Sequence, residues 1–152
     1  MKSEIKFYRR KMIIPTSNGE VACYYSDLMY AKYEDPYCWL HFFGGAKYTV
    51  EVSVTCLLKS LPEKPFFRCN RTDIINLCYY AGYEDKSAMV ILEDGTKFRL
   101  SVRKYTDFKK QKADLKRISP PCYPCSDSKN ENCPDFRLFC VTPGSENSCE
   151  EQ

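Results

Sequence analysis

Residues 61–77 read Leu61-Pro62-Glu63-Lys64-Pro65-Phe66-Phe67-Arg68-Cys69-Asn70-Arg71-Thr72-Asp73-Ile74-Ile75-Asn76-Leu77. Two apolar pairs, Phe66-Phe67 and Ile74-Ile75, flank a short polar segment holding Arg68, Asn70 and Arg71. Globular packing normally buries Phe and Ile and exposes Arg. Interleaving them this closely asks for strands rooted in a core, with a loop between them that carries cations outward. Such a loop suits an anion, and a guanidinium in it can reach a phosphate or a base edge.

Around this stretch the chain is punctuated as an all-β protein. Glu4–Ile14 reads as one or two strands ended by Pro15, and Ser17-Asn18-Gly19 as a type I′ hairpin turn before Glu20–Tyr25. Leu28–Tyr33 and Tyr37–Phe43 form a second pair broken at Asp35-Pro36. On the latter, Tyr37, Trp39, His41 and Phe43 fall on one face and Cys38, Leu40 and Phe42 on the other. Gly44-Gly45 turns into Ala46–Val52, and Thr55–Leu61 is one or two helical turns stopped by Pro62. Cys78–Tyr83, Ala88–Leu92 and Lys97–Val102 read as strands, the last two joined by a type I′ turn at Asp94-Gly95. Lys104–Arg117 is the one longer helix, with Tyr105, Phe108, Ala113 and Leu115 on its apolar side and lysines elsewhere.

The run from Leu61-Pro62 through Phe66-Phe67-Arg68, Asn70-Arg71-Thr72 and Ile74-Ile75-Asn76 resembles the signature of the LytTR-type DNA-binding domain. That domain is the output module of LytR/AlgR-like bacterial response regulators. Ser26-Asp27-Leu28-Met29-Tyr30 is similar to the family's Asp-Ile-x-Tyr strand. Leu92-Glu93-Asp94-Gly95-Thr96 and Ser101-Val102-Arg103-Lys104-Tyr105 are similar to its closing hairpin and last helix. The resemblance spans about residues 3–117. It implies an elongated, mostly all-β domain of about ten short strands in stacked small sheets, with one short helix and a basic closing helix. It also implies sequence-specific binding of double-stranded DNA as a transcription regulator. Loops would read promoter direct repeats in the major groove, with a second copy on the tandem repeat.

By the same resemblance the contact residues fall on Tyr37 and Cys38, on Asn70 and Arg71, and on Arg103. Arg103 stands where a strand meets a basic helix, and its fork can grip guanine or phosphate; its competing role is an ion pair with Glu93 or Asp107. Arg71 competes between DNA and Asp73. Asn70 stands where many relatives carry His, and it can bond adenine or cap the turn. Asp73 brings a negative charge close to this loop. Arg68 is also counted in the DNA-binding set, and it points away from Arg71 or braces the loop. Lys32 and Lys104, with Lys109 and Lys110, are candidates for phosphate contact, which positions without specifying sequence.

Residues 119–152 carry 2 Lys+Arg against 6 Asp+Glu, leaving a charge of +7 on residues 1–118 of a chain whose net charge is +3. A basic body with an acidic tail fits a nucleic-acid binder. The expected division is a DNA-binding body over residues 1–118 and an acidic, Cys-rich tail over 119–152. In the tail Cys122, Cys125, Cys133 and Cys140 could supply four thiolates to zinc. Cys122 and Cys125 alternatively form a redox pair, or the tail lacks the apolar surface to order at all. No cofactor is expected elsewhere.

The single histidine, His41, cannot build a dyad, and no phosphate loop or hydrolase motif occurs, so no enzyme and no small-molecule substrate are expected. The N-terminus has no apolar targeting run and no stretch is long enough to span a bilayer, so no membrane partner and a cytoplasmic location are expected. No receiver domain is expected ahead of residue 3. The alternative is a protein-interaction module that keeps the LytTR-like fold without specific DNA binding. A secreted disulfide module is the rival suggested by ten cysteines.

Overall fold

A computed structural model of the chain describes residues 4–115. Strands β1 (Lys6–Phe7), β2 (Lys11–Thr16) and β3 (Gly19–Tyr24) form an antiparallel meander. Met12 and Ile14 alternate into the core and are fully buried. The strand does not end at Pro15 but continues through it to Thr16. Pro15 pairs with Glu20, two residues past the last pairing of β2 with β1 at Ile13. Its missing N–H therefore interrupts no bond to β1.

A 3-10 turn over Tyr25–Asp27 leads into the central sheet. This comprises β4 (Leu28–Glu34), β5 (Tyr37–Phe42), β6 (Lys47–Val50), β7 (Phe66–Arg68) and β8 (Asp73–Asn76), in the order β6-β5-β4-β8-β7. β4 lies between β5 and β8, so Tyr30 faces His41 on one side and Ile75 on the other. The alternation on β5 holds as read: Cys38, Leu40 and Phe42 are buried, whereas Tyr37, Trp39 and Phe43 are exposed. Helix α1 (Val54–Ser60) connects β6 to β7. Ser53 caps it by accepting from the Cys56 N–H at 3.1 Å, and Val54, Cys56 and Leu57 face inward.

Asn76 is wholly buried, and both polar atoms of its side chain are bonded. Its Nδ2 donates to the Leu28 carbonyl at 2.9 Å, and its Oδ1 accepts from the Cys78 N–H at 3.0 Å. An unpaired buried amide costs about 1–3 kcal/mol, so these two bonds explain why an Asn can end β8 in the core. The strand expected from Cys78 starts later. Leu77–Tyr79 form a 3-10 turn, and the third sheet comprises β9 (Tyr80–Glu84), β10 (Met89–Leu92) and β11 (Lys97–Arg99), in the order β11-β10-β9.

The β10–β11 turn is not type I′, which needs positive φ at both central residues. Here the Gly95 N–H donates to the Leu92 carbonyl at 2.9 Å, and only Gly95 is left-handed, at φ +90°. Asp94 stabilises the turn by accepting from the Thr96 N–H and hydroxyl, each at 2.9 Å. The Ser17-Asn18-Gly19 turn likewise has its one positive φ at Gly19.

Helix α2 (Tyr105–Asp114) is shorter than the sequence suggested and is anchored by fewer residues. Phe108 and Leu115 are buried, but Ala113 and Tyr105 are exposed. Phe108 lies against the rings of Phe67, Tyr80 and Tyr83, at centroid distances of 5.6, 5.8 and 6.1 Å. Gln111 Nε2 donates to the carbonyls of Lys64 and Phe66, both at 2.9 Å, tying the helix to the edge at β7.

Candidate nucleic-acid interface

The antiparallel pairings bring three segments to one end of the strands: the β4–β5 turn at Asp35-Pro36, the loop 69–72 between β7 and β8, and residues 100–104 after β11. Backbone bonds join them. The Tyr33 N–H donates to the Thr72 carbonyl at 2.8 Å, and the Ser101 N–H donates to the Cys69 carbonyl at 3.0 Å.

Asn70 sits at the centre of this junction. Its Nδ2 donates to Asp73 Oδ2 at 3.0 Å and, across to the third sheet, to the Arg99 carbonyl at 2.7 Å. Its Oδ1 accepts from the Thr72 N–H at 2.9 Å, the Thr72 hydroxyl at 3.1 Å and the Asp73 N–H at 3.1 Å. Both amide protons are committed and the oxygen is fully engaged, so Asn70 caps and clamps the loop and presents no free amide to a base. Arg68 is committed as well. Its Nε donates to the Asn70 carbonyl at 3.1 Å, Nη1 to Thr55 Oγ1 at 3.2 Å and Nη2 to the Arg71 carbonyl at 2.8 Å. It braces the loop from behind and ties it to the first turn of α1.

Arg71 and Arg103 are different. Both side chains are exposed, and neither guanidinium makes a hydrogen bond or ion pair with another described residue. The ion pairs considered for them do not form. Asp73 instead accepts from Asn70, and its Oδ1, 3.2 Å from the Thr72 hydroxyl, shares that single proton with Asn70 Oδ1. Two further carboxylates at this end also have their own donors: Asp35 accepts from the Tyr33 hydroxyl at 2.8 Å, and Glu84 from Ser87 and Lys97. The bond from Lys97, then that from Ser87, hold the Glu84 carboxyl below its usual range.

Tyr37 is 47 % exposed at the start of β5, whereas its neighbour Cys38 is 1 % exposed and points into the core. Burial, with Asp73 nearby, pushes the Cys38 thiol up to about 12. Cys38 is therefore removed from the surface set. Lys32 lies on β4 across from Trp39 and Asp73, with Nζ 5.1 Å from the Phe98 ring centroid. Lys104 is half-buried at the start of α2.

Two residues at this end were not singled out from sequence. Arg99 is exposed at the end of β11, between the buried Phe98 and Leu100, and its carbonyl receives the Asn70 amide. That alternation was legible. Val102 is 87 % exposed. Strand alternation from Phe98 and Leu100 would have turned it inward, but the 3-10 turn Val102–Lys104 rotates it out. Cys122, Cys125, Cys133 and Cys140 lie outside the described residues, and among the described residues no group of three or more His, Cys, Asp or Glu side chains is placed to hold a metal. No helix among them is long and apolar enough to cross a membrane.

The fold and the loop sequence can now be set beside known proteins. No curated protein matches the chain. Among solved structures, the LytTr DNA-binding domain of a Bacillus cereus protein named as a methyl-accepting/DNA response regulator superposes with a TM-score of 0.60 at 20 % identity, covering 68 % of this chain and 97 % of that one. That likeness shows the shared fold. The family model described as the LytTr DNA-binding domain matches residues 19–113, which include the central sheet, the clamp at Asn70 and nearly all of α2. The chain belongs to the LytTr DNA-binding domain family.

Proposed function

We propose that this chain is a sequence-specific double-stranded DNA-binding protein that regulates transcription, with its body over residues 1–118 reading the major groove through loops. One observation carries the reading. The Asn70 clamp fixes the Arg71 loop to the strand that leads into Arg103, while both guanidinium groups remain without partners among the described residues. Two rigidly spaced, unengaged forks are what base-edge recognition requires. Arg71 and Arg103 serve as the reading pair, and Val102 can pack on a thymine methyl. Arg99, Lys32 and Lys104 supply phosphate contacts, which set register without specifying sequence. Tyr37 completes the surface from the β4–β5 side. The sites are promoter direct repeats, occupied by two copies.

The test is selection from a randomised duplex library at physiological salt, with the wild-type chain and with Arg71→Ala/Arg103→Ala. A short repeated motif should be enriched by the wild type and lost in the double variant. Arg103→Ala alone should cost about 1–3 kcal/mol and relax one base position, while Lys104→Ala should weaken all sequences alike and reduce the salt slope. Undiminished binding by Arg103→Ala would remove that residue from the interface. A second reading, a protein-interaction module, is favoured by the exposed apolar groups Tyr37, Trp39 and Val102 at or near this end. It requires that no duplex motif be enriched.

A further inference from the structure

At the opposite end of the strands, two turns border a cleft of about 540 Å³. One turn is Phe43–Lys47, between β5 and β6; the other is Glu93-Asp94, between β10 and β11. The volume falls in the range of small-molecule sites. Its floor is apolar and buried, formed by Met29, Tyr30, Phe42 and Tyr79. The wall is ordered by stacking, since Tyr30 lies on His41 at 4.3 Å with ring planes 18° apart and Phe43 lies against Tyr79 at 6.2 Å. Backbone bonds fix both turns to the floor: the Glu93 N–H donates to the Tyr79 carbonyl at 2.8 Å, and the Phe43 N–H to the Asp27 carbonyl at 2.7 Å.

The rim carries charges of both signs. Lys47 stands on one turn and Glu93 on the other, both exposed. Neither side chain makes a hydrogen bond or ion pair with a described residue, and the two do not pair with each other. Asp94, by contrast, is taken up by Thr96. Burial, then Lys47 and Lys32, lower the affinity of His41 for a proton, while Asp94 opposes them. The cleft thus sets an aromatic floor between the unpaired Lys47 and Glu93, with Asp94 beside them as a second carboxylate whose oxygens are bonded to Thr96.

We propose that this cleft binds a small zwitterion of the free amino acid class. The ammonium group would meet Glu93, the carboxylate would meet Lys47, and an apolar side chain would lie on the aromatic floor. A singly charged ligand would leave one rim charge unanswered. The site is separate from the DNA-reading end and does not depend on that function.

The experiment is an amide NMR titration of the ¹⁵N-labelled chain with L-leucine and L-phenylalanine, and with 3-phenylpropionate and phenethylamine as analogues lacking one charge. Saturable shifts at Gly44, Gly45, Ala46 and Glu93 are expected with an amino acid and much weaker ones with either analogue. Lys47→Met and Glu93→Gln should each weaken binding several-fold; both residues are exposed, and unchanged spectra away from the cleft will show that the variants fold. No saturable shifts with either amino acid, equal binding of all the probes, or wild-type affinity in both variants would overturn the proposal.

Discussion

Five hydrogen bonds converge on the side chain of Asn70, and they join two sheets at the point where the arginines are displayed. In the function proposed above, the residue positions the reading arginines without itself contacting DNA. Asn70→Ala should lower stability by about 1–3 kcal/mol, since it leaves the part-buried Asp73 N–H without its acceptor and cuts the link to the Arg99 carbonyl. DNA affinity should fall with it, even under conditions where the variant is fully folded, because Arg71 loses its fixed distance from Arg103. Parallel urea melts and binding curves check this; unchanged affinity in the folded variant would show that the clamp is only structural. From the sequence, Asn70 could be read as a base contact or as a turn cap, and the choice lay with its partners. One of them, the Arg99 carbonyl, is 29 residues away and belongs to another sheet, so no local pattern announced it. For Arg68 the sequence offered a DNA contact, a side chain turned away from Arg71 or a brace, and its three bonds to Asn70, Thr55 and Arg71 make it the brace.

At the scale of elements, strand alternation carried most of the information. It placed Cys38, Leu40 and Phe42 in the core on β5 and set Phe98 and Leu100 inward around Arg99. Alternation fails where the backbone leaves the strand, as at Val102. Turn type was misjudged for a similar reason. Asp-Gly fits both a two-residue type I′ loop and a three-residue loop with a final glycine, and the register of the strands decides between them. The outcome predicts a contrast between two glycines. A Cβ at Gly95 or Gly82 would meet no atom within 4 Å, but Gly95 holds φ +90° and Gly82 does not need a left-handed backbone. Gly95→Ala should cost about 1–2 kcal/mol from backbone strain alone. Gly82→Ala should be neutral or stabilise by about 0.4–1 kcal/mol, through the unfolded chain. Denaturant midpoints of the two variants test the contrast; equal loss in both would show that strand packing, not φ, sets the cost. In α2 the sequence showed a basic amphipathic helix with Phe108 on its apolar side, but it did not show that Gln111 ties it to the carbonyls before and in β7.

The whole molecule joins three sheets through one continuous core, and the junction of the first and second sheets contains an acid. Burial raises the Asp27 carboxyl from its ordinary 3.8 to about 6. The folded state therefore holds this proton more tightly than the unfolded chain does. The contribution is fully present below the ordinary value, and stability falls as pH rises through about 6. Asp27→Asn should remove that fall and stabilise the protein at pH 7 by about 1–2 kcal/mol, after allowing for its partial exposure. Urea midpoints of variant and wild type should coincide near pH 4 and separate by pH 7; coincidence at both would place Asp27 in water. The core also contains four thiols on four different segments: Cys38 on β5, Cys56 on α1, Cys69 in the clamp loop and Cys78 in the turn before β9. Cys38, Cys69 and Cys78 are at most 2 % exposed, so water-borne alkylating reagents cannot reach these three in the closed fold. Their labelling rates in native buffer would accordingly time how often each part of the molecule opens. A Cys69 that reacts ahead of Cys78, which lies at the other end of β8, would mean that the reading end breathes on its own, and matched rates would mean that the domain opens only as one piece.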